Sequence, residues 1–150
     1  MLKQNIIKAS ISPLSAPVWV VLKKMDASGK KKWLIVIDYR RLNDVTLNEV
    51  YPIPIPLISH ILNQLGHSKY FSTLDLVSGF HQIPLNPNDA EKTGFTVINT
   101  NAISGHFQFD RMPFGLKSAP STFQRLMNTV LSGLQGLHCF VYLDDCIIYR

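Results

Sequence analysis

His138-Cys139-Phe140-Val141-Tyr142-Leu143-Asp144-Asp145-Cys146-Ile147-Ile148-Tyr149 is the stretch whose reading decides the fold of this chain. Two β-prone runs, His138 to Val141 and Cys146 to Tyr149, flank Tyr142-Leu143-Asp144-Asp145, which predicts a tight hairpin carrying two acidic side chains at its tip. Adjacent carboxylates held by apolar strands repel each other and gain little from packing. A site for divalent cations, which take oxygen ligands, is the simplest reason to place them there. Metal-dependent phosphoryl chemistry is the leading expectation from this segment.

Cys139 and Cys146, the two cysteines of the chain, sit symmetrically on the arms of this hairpin and could approach each other across it. They read as core thiols, because no CxxC or His/Cys ligand spacing accompanies them and a free cysteine behaves as a small hydrophobe. The five histidines likewise show no ligand spacing. Reduced, intracellular chemistry follows as the default. At 150 residues the chain is the size of one ordinary domain. Its 15 Lys and Arg against 10 Asp and Glu give a formal charge of +5, which points to a polyanionic partner. Much of that charge lies in Lys23, Lys24, Lys30, Lys31, Lys32, Arg40 and Arg41, a pattern that also suits a solvated loop. No long apolar run and no leader-like N-terminus is present, so neither a membrane span nor a signal peptide is expected.

Upstream of the hairpin, Val18 to Leu22 and Trp33 to Ile37 are β-prone runs joined by the polar turn Asp26-Ala27-Ser28-Gly29, a second hairpin with a basic tip. The prolines of Tyr51-Pro52-Ile53-Pro54-Ile55-Pro56 cannot donate to a ladder, so an extended connector should lead into a short helix from Leu57 to Leu65, stopped by Gly66. Tyr70 to Leu76 reads as a buried strand ending at Asp75. Asn86 to Glu91 reads as a polar, proline-containing interval before strands at Phe95–Ile98 and His106–Phe109. A helix beginning near Ser118, with Pro120 in its first turn, presents Phe123, Leu126, Met127, Val130, Leu131 and Leu134 on one face and ends at Gly133 and Gly136. Strands and helices mix without strict alternation, so the expected class is α+β: a mixed or antiparallel sheet with helices packed on one face.

A further carboxylate for the Asp144–Asp145 pair must come from elsewhere in the fold. Asp75 is the best candidate, since it ends an apolar strand that could lie beside the hairpin in one sheet. Together they could hold two Mg²⁺ ions about 3.5–4 Å apart, or Mn²⁺ in their place. The bland alternatives are a turn or cap role for Asp75 and an ordinary surface site for the Asp pair.

Leu74-Asp75-Leu76-Val77-Ser78-Gly79-Phe80-His81-Gln82-Ile83, Arg111-Met112-Pro113-Phe114-Gly115-Leu116-Lys117-Ser118-Ala119-Pro120, Phe123-Gln124-Arg125 and Tyr142-Leu143-Asp144-Asp145 occur in the order and spacing of reverse transcriptases. Ile37-Asp38-Tyr39-Arg40-Arg41-Leu42-Asn43 resembles the same family's N-terminal motif, and the chain looks most like the polymerases of gypsy-type long-terminal-repeat retrotransposons. The resemblance implies a fingers-and-palm fold of a right-hand polymerase. Residues 1–150 would be a partial domain, fingers and the N-terminal part of the palm, truncated before the thumb, with the rest of the palm and RNase H absent. It also implies that Asp75, Asp144 and Asp145 are the catalytic and metal-binding carboxylates, Asp75 and Asp144 as direct ligands and Asp145 as added charge. Tyr142 would lie against the primer terminus. Phe80 would exclude a 2′-hydroxyl, Phe114 and Gly115 would line the nucleotide pocket, and Lys24 would meet the triphosphate. Lys30, Lys31 and Lys32 would face template phosphates. Simpler readings stay open: a core aromatic for Phe80, a turn for Gly115, and a solvated tip for the lysines. Asp38 and Arg40 are expected to pair.

The implied partners are an RNA or DNA template with its primer, a deoxynucleoside triphosphate and the other segments of a Pol polyprotein, and the implied location is the cytoplasm or a virus-like particle. Two departures from the family stand out. Leu34 follows Trp33 where the family usually has an arginine that clamps the triphosphate. The linker between Phe95 and Gly105 is long, with a loop signal at Asn99-Thr100-Asn101. Ending at Arg150, the chain is also expected to leave part of an apolar sheet uncovered, which favours association. An RNA-directed DNA polymerase is the leading reading. The alternative is an inactive remnant serving as a nucleic-acid-binding or interaction module.

Overall fold

In a computed structural model of the chain, the described residues are 1–23, 32–47, 58–98 and 105–150. In chain order they form β1 (Ile7–Ala9), β2 (Val18–Lys23), β3 (Lys32–Ile37), α1 (Arg40–Val45), α2 (Ile58–Leu65), β4 (Phe71–Asp75), α3 (Pro87–Ala90), β5 (Phe95–Val97), β6 (Gly105–Phe109), α4 (Ala119–Val130), β7 (Cys139–Tyr142) and β8 (Asp145–Tyr149), with short 3₁₀ turns at Leu2–Gln4, Gly79–Gln82 and Glu91–Thr93. The strands pair antiparallel, and the class is α+β. Among the described residues no helix is long and apolar enough to cross a membrane. The expected turn at Asp26–Gly29, the proline connector Tyr51–Pro56 and the loop signal Asn99–Asn101 lie outside the described residues.

Two compact units divide the chain. The first comprises Met1–Leu47 and Phe80–Lys117, and the second Asn48–Gly79 and Ser118–Arg150. In the first unit, β1, β6 and β5 form a sheet with β6 central, and Phe95, Phe107 and Phe109 make its core with Ile6, Ile7, Val18, Ile37 and Val97 against them. The polar, proline-containing interval Asn86–Glu91 is helical, with α3 running into the 3₁₀ turn Glu91–Thr93. The Asn86 side chain accepts the Asn88 N–H at 3.1 Å and Pro87 occupies the first turn, two N-terminal signals that outweigh its polar composition. Thr93 is buried because it is saturated: its hydroxyl donates to Ala90 O and accepts from Phe109 N, while its carbonyl accepts from the Tyr39 hydroxyl at 3.0 Å. The two arms expected of the hairpin pair antiparallel as β2 and β3, with Val18 opposite Ile37 and Leu22 opposite Trp33.

In the second unit the sheet order is β4-β8-β7. Cys139, Val141 and Cys146 point to one face and pack beneath Met127 of α4 and Leu131 at its C-cap, which is the helix-covered face expected from the sequence. Both cysteines are free and buried, and burial pushes the Cys139 thiol pKa up. On the other face Phe140 stacks on Tyr149 with ring centroids 5.4 Å apart, and the Tyr149 hydroxyl donates to Gln64 of α2 at 3.1 Å. Gly66 closes α2 as expected, its N–H bonding the Leu62 carbonyl.

Two sequence expectations fail here. Strand β4 exists and ends at Asp75, yet all five of its residues are exposed, Leu74 by 53%, because Met127 and Leu131 cover β7 and β8 and the cluster they make includes no residue of β4. On α4 half of the expected stripe packs, with Phe123 buried and Met127 and Leu131 against the hairpin, and the rest of the contact face is rotated. Phe123 and Gln124 are buried, while Leu126 and Val130 are exposed by 43% and 64%, and the helix ends at Val130, ahead of Gly133 and Gly136. At about 100° per residue, replacing Leu126 by Gln124 turns the contact face by part of a turn toward the hairpin.

Candidate active site

The hairpin register fixes the site. Val141 faces Cys146 and Tyr142 faces Asp145, which leaves Leu143 and Asp144 as a two-residue loop and makes Asp145 the first residue of β8. Leu143 holds a φ of +53°, the sign that the first position of such a loop requires in a two-residue hairpin turn. For a side chain other than glycine that backbone costs about 1–2 kcal/mol. On the other side of β8, Asp75 is the direct partner of Asp145. Asp75, Asp145 and Tyr142 therefore form one row across three strands, with directly opposed Cβ atoms expected about 4.5–5.5 Å apart. Asp144 is tied to the same end of the sheet, since Leu76 N–H donates to its carbonyl at 3.1 Å.

Asp144 senses the other two carboxylates. Burial, then Asp75, then Asp145 push the Asp144 carboxyl pKa above its ordinary value. Its Oδ1 is buried with no hydrogen-bond partner. Gly79 makes room for it: a Cβ there would stand 2.7 Å from that oxygen and 2.8 Å from the Phe123 ring. Unpaired buried carboxylate oxygen beside two further acids is the environment a divalent cation would neutralise, so these residues fit such an ion. Among the described residues no three His, Cys, Asp or Glu side chains converge closely enough to enclose one. The trio is an open cradle with Asp75 and Asp145 exposed.

One residue without an assigned role stands directly behind this loop. Gln124, 1% exposed, accepts the Leu143 N–H on Oε1 at 2.8 Å and donates from Nε2 to Val141 O at 3.3 Å and to Asn128 Oδ1 at 3.0 Å. The available signal was a polar side chain interrupting an apolar stripe between Phe123 and Met127.

The remaining candidates fall in the first unit, with the carboxylates and Tyr142 in the second. Phe80 is buried and meets Phe114 edge-on, centroids 5.0 Å apart, while Phe114 is half exposed. His81 packs edge-on against Phe114 at 5.1 Å and stacks on Phe109, and its Nδ1 lies 3.2 Å from Met112 O; burial lowers its pKa. Gly115 has a φ of +91°, so the backbone itself calls for glycine. The Asn43 amide brackets it, donating to Gly115 O and accepting from Lys117 N, both at 2.8 Å. Arg40 forks onto Asp38 as expected, with Nη2 2.6 Å from Oδ2, and holds the Asp38 carboxyl down to about 2. Leu34 is 52% exposed on β3 opposite Val21. Lys32 opens β3 opposite Lys23, and Lys24, Lys30 and Lys31 lie outside the described residues.

Comparison with known proteins agrees with this architecture. Residues 21–150 match the family model described as reverse transcriptase (RNA-dependent DNA polymerase). The chain is 50% identical over 149 residues to the retrovirus-related Pol polyprotein from transposon 297 of Drosophila melanogaster, and 48% identical over 151 residues to that from transposon gypsy of the same organism. Each alignment covers 99% of the chain and only 13% and 14% of the relative, so the chain spans about an eighth of these polyproteins. Among solved structures, the foamy viral protease-reverse transcriptase dRH in complex with double-stranded DNA superposes with a TM-score of 0.77 at 29% identity, covering 99% of this chain and 24% of that one. Native prototype foamy virus protease-reverse transcriptase gives 0.76 at 27% identity, covering 99% and 18%. With its two-carboxylate strand pairing, its Asp-bearing hairpin and a match running over most of its length, this chain belongs to the reverse transcriptase family.

Proposed function

We propose that this chain carries the nucleotidyl-transfer centre of an RNA-directed DNA polymerase, as the fingers and N-terminal palm portion of a retroelement Pol polyprotein. The observation that carries it is the row Asp75–Asp145–Tyr142 with Asp144 beside it, an unpaired buried oxygen among three acids in a chain otherwise positively charged. Asp75 and Asp144 would hold two Mg²⁺ or Mn²⁺ ions, with Asp145 contributing charge. Divalent ions bound there supply activation of a primer 3′-hydroxyl and neutralisation of the leaving phosphates. The chain's own residues do the positioning. Strand register fixes Asp75 against Asp145, the Leu143 turn presents Asp144, and Tyr142, 49% exposed, would lie against the primer terminus.

In the same reading the Phe80–Phe114 pair selects deoxynucleotides by crowding a 2′-hydroxyl, and the Gly115 backbone, held by Asn43, lets nucleotide or template approach closely. Lys24 would meet the triphosphate, and Lys30, Lys31 and Lys32 template phosphates. Partners would be a primed RNA or DNA template, a deoxynucleoside triphosphate and further Pol segments, in the cytoplasm or a virus-like particle. Primer extension on an RNA template with Mg²⁺ tests the proposal. Wild type should elongate and Asp144→Asn should not; no elongation by either protein would leave a nucleic-acid-binding or interaction module instead.

A further inference from the structure

We infer that Gln124 is the positioning residue that sets the Asp144 loop, an inference that rests on the proposed polymerase centre for its catalytic meaning and on the hairpin geometry for its structural one. A glutamine 1% exposed on an otherwise apolar packing stripe must satisfy both ends of its amide, since an unsatisfied buried polar group is costly. It does so with backbone of the hairpin. Oε1 takes the Leu143 N–H at 2.8 Å and Nε2 gives to Val141 O at 3.3 Å, so a single planar amide spans the last turn of β7 into the loop. Asn128, one helical turn on, takes the second Nε2 proton at 3.0 Å and fixes which way the amide faces.

The loop needs such a clamp. Leu143 sits in the left-handed region, where a non-glycine residue is unfavourable, and Asp144 next to it keeps an unpaired buried oxygen beside two other acids. Both features push the loop to relax. The Leu143 N–H lies at the start of the positive-φ torsion, just ahead of Asp144, and Gln124 holds it from a helix whose C-terminal end packs on the hairpin through Met127 and Leu131. Gln124 therefore acts on the carboxylates through the backbone, touching neither substrate nor metal.

Hydrogen exchange at the Leu143 amide, measured in the full chain, tests the clamp without requiring activity. Gln124→Met keeps volume and removes the amide. Gln124→Glu keeps an oxygen to accept from Leu143. Met127→Ala weakens packing on the same cluster without removing a polar contact. With global stability measured in parallel, Leu143 should be protected in wild type, exchange about 10-fold faster in Gln124→Met, and regain protection in Gln124→Glu at a pH acid enough to protonate the carboxyl, which then accepts from Leu143 N–H and donates to Val141 O. Met127→Ala should change it only as far as global stability changes. In primer extension Gln124→Met should lower kcat about 10-fold while the nucleotide KM stays within about twofold, the pattern of lost transition-state positioning. A Leu143 amide that exchanges freely in wild type, or one that Met127→Ala loosens as much as Gln124→Met does, overturns the inference. Should Gln124→Met not fold, wild type and Gln124→Glu still decide. A wild type that protects Leu143 but never extends a primer would refute the activity and leave the clamp standing.

Discussion

A methyl group at Gly79 would come within 2.7 Å of Asp144 Oδ1 and 2.8 Å of the Phe123 ring, so one or both side chains must shift to admit it. Gly79→Ala should therefore cost about 1–3 kcal/mol of stability by overpacking, read from urea denaturation, and lower any polymerase activity further than that loss explains. Asp144 itself works against the fold when no cation is present. The cost of burying its charge and the repulsion from Asp75 and Asp145 disappear in Asp144→Asn, which should melt higher than wild type in EDTA. Mn²⁺ should raise the wild-type melting temperature and leave the variant's unchanged; equal shifts would contradict the cradle. Asp38 obeys the opposite sign. Arg40 depresses its carboxyl from 3.8 to about 2, so its contribution to stability is present above the ordinary value and fades as pH falls through about 2. In Arg40→Ala an NMR titration should return Asp38 toward 3.8, and a value staying near 2 would show that another group holds it. At Leu34, an arginine should be tolerated on the exposed strand and lower the nucleotide KM, because guanidinium–phosphate contacts are charge-assisted; an unchanged KM would remove Leu34 from the nucleotide site.

At the scale of elements, both hairpins, the helix before β4 and the strand ending at Asp75 were readable from the sequence, because each carries its own punctuation: β-branched runs, Gly66, and the acidic pair. What was not readable is which face is wet. The exposure of β4 follows from where Met127 and Leu131 pack, over β7 and β8, a property of tertiary packing that no window of β4 residues contains. The stripe on α4 was misassigned for a related reason. Gln124 is buried because Val141 O and Leu143 N lie opposite it, partners 17 and 19 positions away, so hydropathy alone ranks it below Leu126. Substitutions expose the difference. Phe123→Ala should cost about 3–5 kcal/mol and Leu126→Ser about 0.5 kcal/mol or less, by urea denaturation. Equal costs would restore the stripe drawn from sequence periodicity.

Across the whole molecule, the candidate site was legible where it depends on local order, the Tyr142–Asp145 hairpin and the strand that ends at Asp75. The register that makes Asp75 and Asp145 direct neighbours, and the amide behind the loop, required coordinates. The net charge of +5 bears on the polyanion partner, for which primer–template affinity should fall steeply as salt rises. A flat dependence would remove that partner. The central claim, that these carboxylates serve template-directed synthesis, is tested most directly by single-nucleotide incorporation into a primer on RNA templates differing in one base, with Mg²⁺ and with Asp75→Asn as control. The account predicts that the incorporated deoxynucleotide changes with the template base and that Asp75→Asn incorporates none; a nucleotide added regardless of the template base, or equal incorporation by Asp75→Asn, would contradict it.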